Sequence, residues 1–303
     1  MSAALKAADS DLKRQKLGGG PLPPFGSPMF ARTSTSSLAA AILAMSVATM
    51  PATAEVVRAR YSVSLIGLRI GEADAIGAIE RAAYRINLDA RLTGIAAWLA
   101  HLRMALTSSG EIRRGVVLPT AYATTSANSY GIRTVRMALD AGTVRAVEIS
   151  PPFDDKEMRV PVTAANKRNV LDPTSALIMA VPPGEPLVGP AACNRILPVY
   201  DGVVRFDVMM SFAGIRHVSV KGYTGPVSVC AVRYRPISGH RIDSRATKFM
   251  AENRDIEAWL APVEAAHVVV PFHVALRTLA GMAEVDAVEF LVEPDSVAAK
   301  AAR

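Results

Sequence analysis

From Glu55 onward, apolar and polar residues alternate with a period of two. In Val57-Arg58-Ala59-Arg60-Tyr61-Ser62-Val63-Ser64-Leu65 every odd position is apolar and every even one polar. This pattern gives a strand with one face on a core and one in water. The same alternation returns in Leu102-Arg103-Met104, in Val204-Arg205-Phe206-Asp207-Val208 and in Cys230-Ala231-Val232-Arg233-Tyr234. Turn-forming residues separate such runs: Gly67 and Gly71, Asn128 to Gly131, Asp140-Ala141-Gly142, Asp201-Gly202, Gly214, Gly222 to Pro226 and Leu279 to Gly281. Short strands at hairpin spacing, without regularly interleaved helices, predict an all-β fold. The expected architecture is a curved antiparallel meander or open β-barrel with one short buried helix.

Two segments carry helical signals. Ile95 to Leu102 is apolar all round and fits either a short helix or a buried strand continuation. Asp172 to Val181 is clearer: Asp172 can cap free amides, Pro173 suits the first helical position, and Pro182-Pro183-Gly184 stops the run. The predicted helix, Pro173 to Val181, is apolar on every side and should be buried against the sheet. Ser150 to Asn169 is polar and proline-containing, and reads as an exposed loop or a hinge between two halves of the sheet.

The N-terminal region has a different character. Residues 38 to 50, LAAAILAMSVATM, form an apolar run after Arg32 and before Pro51-Ala52-Thr53-Ala54. Spanning bilayer hydrocarbon takes about 20 apolar residues, so this run reads as a signal-peptide core with cleavage between Ala54 and Glu55. Upstream, KLGGGPLPPFGSP cannot bury a core, and Met29 would start a signal peptide of ordinary length. The expected organisation is a disordered or misassigned extension over 1–28, a signal peptide over 29–54, a single β-rich exported domain over 55–292 and a frayed tail over 293–303.

Composition narrows the function classes. Of 303 residues, 34 are Lys or Arg and 27 Asp or Glu, with aromatic residues only 6%. The first 54 residues hold five of the basic and two of the acidic groups, leaving 29 against 25 in the remainder. This mild, scattered excess, with few stacking aromatics, argues against a nucleic-acid partner. Cys193 and Cys230 are the only cysteines. In an oxidising compartment a lone pair 37 residues apart is expected to form a disulfide rather than a redox or zinc pair.

No catalytic motif stands out. A G-x-S-x-G elbow, a P-loop, a GxGxxG after a strand and an HExxH helix are all absent from the sequence. Ser238-Gly239-His240-Arg241 puts a hydroxyl near an imidazole, but a glycine-containing turn accounts for it. His267 and His273 would share a face of an unbroken strand, which Pro271 interrupts, so both read as structural. Asp201-Gly202 reads as a tight turn into a strand whose exposed face pairs Arg205 weakly with Asp207. No metal site or cofactor is expected.

Asp172-Pro173-Thr174-Ser175-Ala176-Leu177, Cys193, Tyr200-Asp201-Gly202 with Arg205-Phe206, Cys230, Tyr234-Pro236-Ile237-Ser238-Gly239-His240 and Pro271 together resemble the exported bacterial family called domain of unknown function 3108. Ser109-Gly110, Pro119 and Tyr122 fit its N-terminal half, and the similarity runs from about Tyr61 to about Phe290. The resemblance implies a periplasmic, β-rich protein of the proteobacterial envelope and supplies no catalytic residue. The expected function is therefore non-enzymatic: a curved sheet binds a lipid or other amphiphile, an envelope polymer or an envelope protein, peripheral to the membrane after signal cleavage. The alternatives are a structural protein without a pocket and a hydrolase using Ser238 and His240. Inward-facing small residues make such pockets, and Ala59, Ala73, Ala75 and Ala83 are of that kind. Tyr61, Val63, Leu65, Trp98, Phe206 and Tyr234 are the candidate cavity lining.

Overall fold

A computed structural model describes residues 55–294 of the chain. Its strands are β1 (Glu55–Leu65), β2 (Leu68–Ile79), β3 (Ala83–Leu92), β4 (Arg103–Arg113), β5 (Val116–Asn128), β6 (Gly131–Asp140) and β7 (Thr143–Ser150). They continue as β8 (Met179–Ala180), β9 (Arg195–Tyr200), β10 (Arg205–Val220), β11 (Tyr223–Ser238), β12 (Ile256–Val263), β13 (Val268–Thr278) and β14 (Gly281–Pro294). The helices are α1 (Gly94–Ala100), α2 (Pro190–Cys193) and α3 (Arg245–Glu252).

The strands form one antiparallel sheet in the order β7-β6-β5-β4-β3-β2-β1-β14-β13-β12-β11-β10-β9. β1 lies mid-sheet, the chain runs outward to β7, crosses over, and returns inward from β9 until β14 meets β1. The alternation in β1 behaves as its sequence predicts, with Val57 and Ala59 buried and Arg58 and Arg60 in water. In β3, Tyr84 and Ile86 face inward while Arg85, Asn87, Asp89 and Arg91 are exposed. The end strands β7 and β9 are not paired with each other, and the crossing chain bridges them. Val170 donates to Gly142 in the β6–β7 turn, and Leu171 donates to Pro198 of β9. Around this bridge Tyr122, Val135, Met137, Leu139, Val170 and Tyr200 form a buried cluster.

Several expectations need correction. The 173–181 segment is buried as predicted but is not a continuous helix: Ser175–Leu177 makes one 3₁₀ turn, and Met179–Ala180 becomes β8. Asp172 does cap the amides of Thr174 and Ser175. The turn ends because β8 meets an unpaired edge of β13, which offers its backbone sheet partners. The 95–102 segment resolves as α1, on the surface. The crossing stretch after Ser150 is irregular, as expected, with two 3₁₀ turns. Arg205 and Asp207 are not a weak exposed pair: Asp207 is buried and held by Arg205 and Arg235. Burial alone would raise this carboxyl, but the hydrogen bonds from Arg235 and Arg205 outweigh it and keep it below the usual carboxylate range. Glu293 and Pro294, expected in the tail, belong to β14 and pair with Val56 and Glu55. The extension, the signal peptide and residues 295–303 lie outside the described residues.

Candidate functional site

The sheet divides between β13 and β14. They pair only where His273–Thr278 runs against Gly281–Asp286, while Val268 to Phe272 has no partner on β14. The division coincides with Pro271, which has no N–H to give a ladder, and with a register shift between Trp259 and Leu260 on neighbouring β12. Separated strands expose two unpaired edges, and both are covered. On β13, Val268 and Val269 pair with Ala180 and Met179 of β8. On β14, the tip of the β10–β11 hairpin arrives, with Phe290 donating to the Lys221 carbonyl and the Lys221 ammonium 2.9 Å from Glu289. Tyr223, Phe272 and Phe290 pack together beneath that tip.

Within the divergence lies a cavity of about 270 Å³. Its wall comes from Val57, Ala59 and Tyr61 of β1, Ala73, Ala75, Gly77 and Ile79 of β2, and Ile86 and Leu88 of β3. Leu177 and Ile178 enter from the crossing segment, Val270, Pro271, His273 and Val274 from β13, and Val285 from β14. Only two of these side chains are polar. The Tyr61 hydroxyl donates to the Pro271 carbonyl at 2.7 Å, and burial pushes its pKa well above the ordinary phenol value. His273 Nδ1 lies 2.6 Å from Asp286 and the ring packs 4.3 Å from that of Trp259. No hydrogen bond engages His273 Nε2 among the described residues.

A buried polar knot holds the Leu177–Ile178 part of the wall. Asp172, 0% exposed, accepts from the amides of Thr174 and Ser175 and from the hydroxyls of Ser175 and Ser108. Ser175 Oγ also lies 2.6 Å from Tyr84 Oη and 2.7 Å from Ser108 Oγ. Ser108 and Tyr84 belong to β4 and β3, so the knot fastens the crossing segment to the concave face of the sheet. Desolvation raises the Asp172 carboxyl above its ordinary range, and the hydrogen bonds from Ser175, Ser108 and Thr174 offset only part of that.

The sequence from residue 60 to residue 286 matches the family model described as Protein of unknown function (DUF3108). The chain belongs to the DUF3108 family. A crystal structure described as a beta-barrel-like protein of domain of unknown function DUF1849 from Brucella abortus is also similar. That match covers 78% of this chain and 98% of the other, at 10% identity and a TM-score of 0.41. No curated protein matches the sequence.

In this DUF3108 chain the six expected lining residues separate. Tyr61 lines the cavity. Val63 and Leu65 lie further along β1, half-buried and outside the cavity wall. Phe206 and Tyr234 stack on each other at 5.2 Å, on the β10–β11 hairpin and away from the cavity. Trp98 is the clearest correction: it stands on α1 with 78% of its surface exposed, because the β3–β4 connection projects beyond the sheet edge. Of the small residues, Ala59, Ala73 and Ala75 line the cavity, whereas Ala83 sits at the β2–β3 turn, outside the wall. The sequence points to a structural role for His273 rather than a place in the wall, and carries no sign of the Ser108–Tyr84 anchor of the knot. The only local sign was Pro271, taken as a break in the ladder.

The cysteines are joined, with Cα atoms 5.4 Å apart and both residues buried between α2 and β11. Ser238 is buried, and neither its Oγ nor His240 Nδ1 finds a hydrogen-bond partner. A hydroxyl activated by that imidazole is therefore not assembled here. His267 contacts the Pro182 carbonyl at 3.2 Å, so the two candidate histidines serve different neighbours.

Proposed function

We propose that this protein is a non-enzymatic binding protein of the cell envelope, and that the divergence of β13 and β14 takes the apolar part of an amphiphile. The cavity carries this reading. At about 270 Å³ it lies just below the usual range for small-molecule sites, and its wall follows their usual form, apolar with few polar groups. The small residues of β1 and β2 leave the space, and a larger side chain at Ala75 would occupy it. His273 stands towards the end of the wall where β13 and β14 rejoin, so a ligand's polar end would be held there. Export fits the buried cystine, since such bonds persist in oxidising compartments. N-terminal sequencing of the exported protein should begin at Glu55.

Titration with cis-parinaric acid tests the binding reading. Saturable fluorescence enhancement should appear with the wild type and be lost in Ala75→Phe, with the melting transition kept. Absence of saturable binding to folded wild type, or unchanged binding by Ala75→Phe, would remove the cavity from the function.

A further inference from the structure

One edge of the sheet is built unlike the other. The β1–β2 turn presents Ile66 and Leu68, α1 presents Ile95 and Trp98, the β5–β6 turn presents Tyr130 and Ile132, and the β13–β14 turn presents Leu279. These are half of the fourteen large apolar side chains exposed among the described residues. Strand register puts them on a common edge: Leu65 pairs with Leu68, Gly71 with Leu92 and Arg103 with Ala127, and Ile66 donates to Met282. Ile95 and Trp98, 80% and 78% exposed, are three apart in α1 and share its outer face. Tyr130 is 99% exposed.

Charge follows the same asymmetry. Within five residues of these side chains stand Arg69, Arg91, Arg103, Arg133, Arg136 and Arg277, against Glu72 and Glu284. Glu72 pairs with Arg69 and Arg91, and Asp255 pairs with Arg277. Arg103 and Arg133 have no carboxylate partner among the described residues. The opposite edge carries both signs at its turns, with Glu80, Arg81, Arg113, Arg114, Asp140, Lys221 and Glu264, and among the described residues Val116 is the large apolar side chain exposed there.

We propose that the apolar, arginine-backed edge docks on an anionic lipid bilayer. Neighbouring strands are about 4.8 Å apart, so six steps from β14 to β6 spread the tips over about 30 Å. Tips spread this widely do not present the single central cluster on which most protein interfaces depend, but each can enter a fluid surface independently. Tryptophan and tyrosine suit the polar-apolar boundary of a bilayer, and arginines just behind the tips meet its negative headgroups. Inward-facing positions also become more exposed toward this edge, from buried Val57 and Ala59 to half-buried Val63 and Leu65, and from buried Tyr84 and Ile86 to half-buried Leu88 and Leu92. Docking therefore presents the open end of the concave face to lipid. The proposal stands on residues outside the cavity wall and holds whether or not the cavity takes a ligand.

Flotation with phosphatidylcholine vesicles, with and without phosphatidylglycerol, tests it. The full chain is used for every variant, so residues 1–54 contribute equally. Wild type should float with the anionic vesicles more than with the neutral ones, and Trp98 emission should shift to the blue. Trp98→Ser and Ile95→Ser should each weaken vesicle affinity about tenfold, while Trp98→Phe retains it. Arg103→Gln should cost about fivefold, and Arg114→Gln at the opposite edge nothing. Equal flotation with both vesicle types, or Trp98→Ser binding as wild type does, overturns the proposal. A fall in solution mass of Trp98→Ser without lipid would make the edge a contact between copies and also overturn it.

Discussion

Asp172 is an ionisable side chain with no solvent exposure, held by two amides and two hydroxyls. Truncation would leave both buried amides without their acceptor and take the carboxylate from both hydroxyls, so Asp172→Ala should cost about 3 kcal/mol, read from the urea midpoint. Its raised carboxyl also gives a pH test. A value higher in the folded than in the unfolded state adds stability that is fully present below the unfolded value of about 4 and is lost as pH rises through the folded one. Asp172→Asn keeps an acceptor for the amides without that titration. The stability of wild type relative to Asp172→Asn should therefore increase as pH is lowered toward 4. A difference that stays flat with pH would show that burial does not perturb this carboxyl.

Covalent and conformational fastenings act at the level of elements. The Cys193–Cys230 bond ties α2, at the end of the crossing segment, to β11. Closing a loop of 37 residues is worth about 4 kcal/mol in the chain-entropy account. Reduction, or Cys193→Ser with Cys230→Ser, should therefore lower the melting temperature by roughly 10 °C. The hairpin tip depends on a glycine. Gly222 has φ +91°, and a Cβ there would press on Leu291 and the Phe290 carbonyl. Gly222→Ala should lift the tip from β14, destabilise the fold by about 2 kcal/mol and speed hydrogen exchange at the Phe290 amide.

Across the whole molecule, the cavity and the apolar edge use separate residues, so their variants should have separable effects. Ala75→Phe should abolish parinaric acid binding and leave vesicle flotation intact, and Trp98→Ser should weaken flotation and leave parinaric acid binding intact. Loss of both activities in either variant, with the fold retained, would mean that one surface serves both.

Much of this was legible from residues alone. The alternation in β1 identified its buried face, and the turn residues identified the hairpins, because both signals are local to a few neighbouring positions. Ala59, Ala73 and Ala75 were recognisable as wall residues for the same reason: side-chain size and strand parity are written in the sequence. The cystine followed from there being only two cysteines. The division of β13 from β14 was not legible. Pro271 marked a break in the ladder, but whether a break becomes a cavity depends on what covers the freed edges, and those partners, β8 and the β10–β11 tip, lie about 90 and 50 residues away. The same dependence turned the second half of an expected helix into a strand, since backbone groups of Met179 and Ala180 found partners on β13. Trp98 was misplaced because an aromatic in an apolar run suits a core and a projecting tip equally well. Only the path of the chain beyond the sheet edge decided between them.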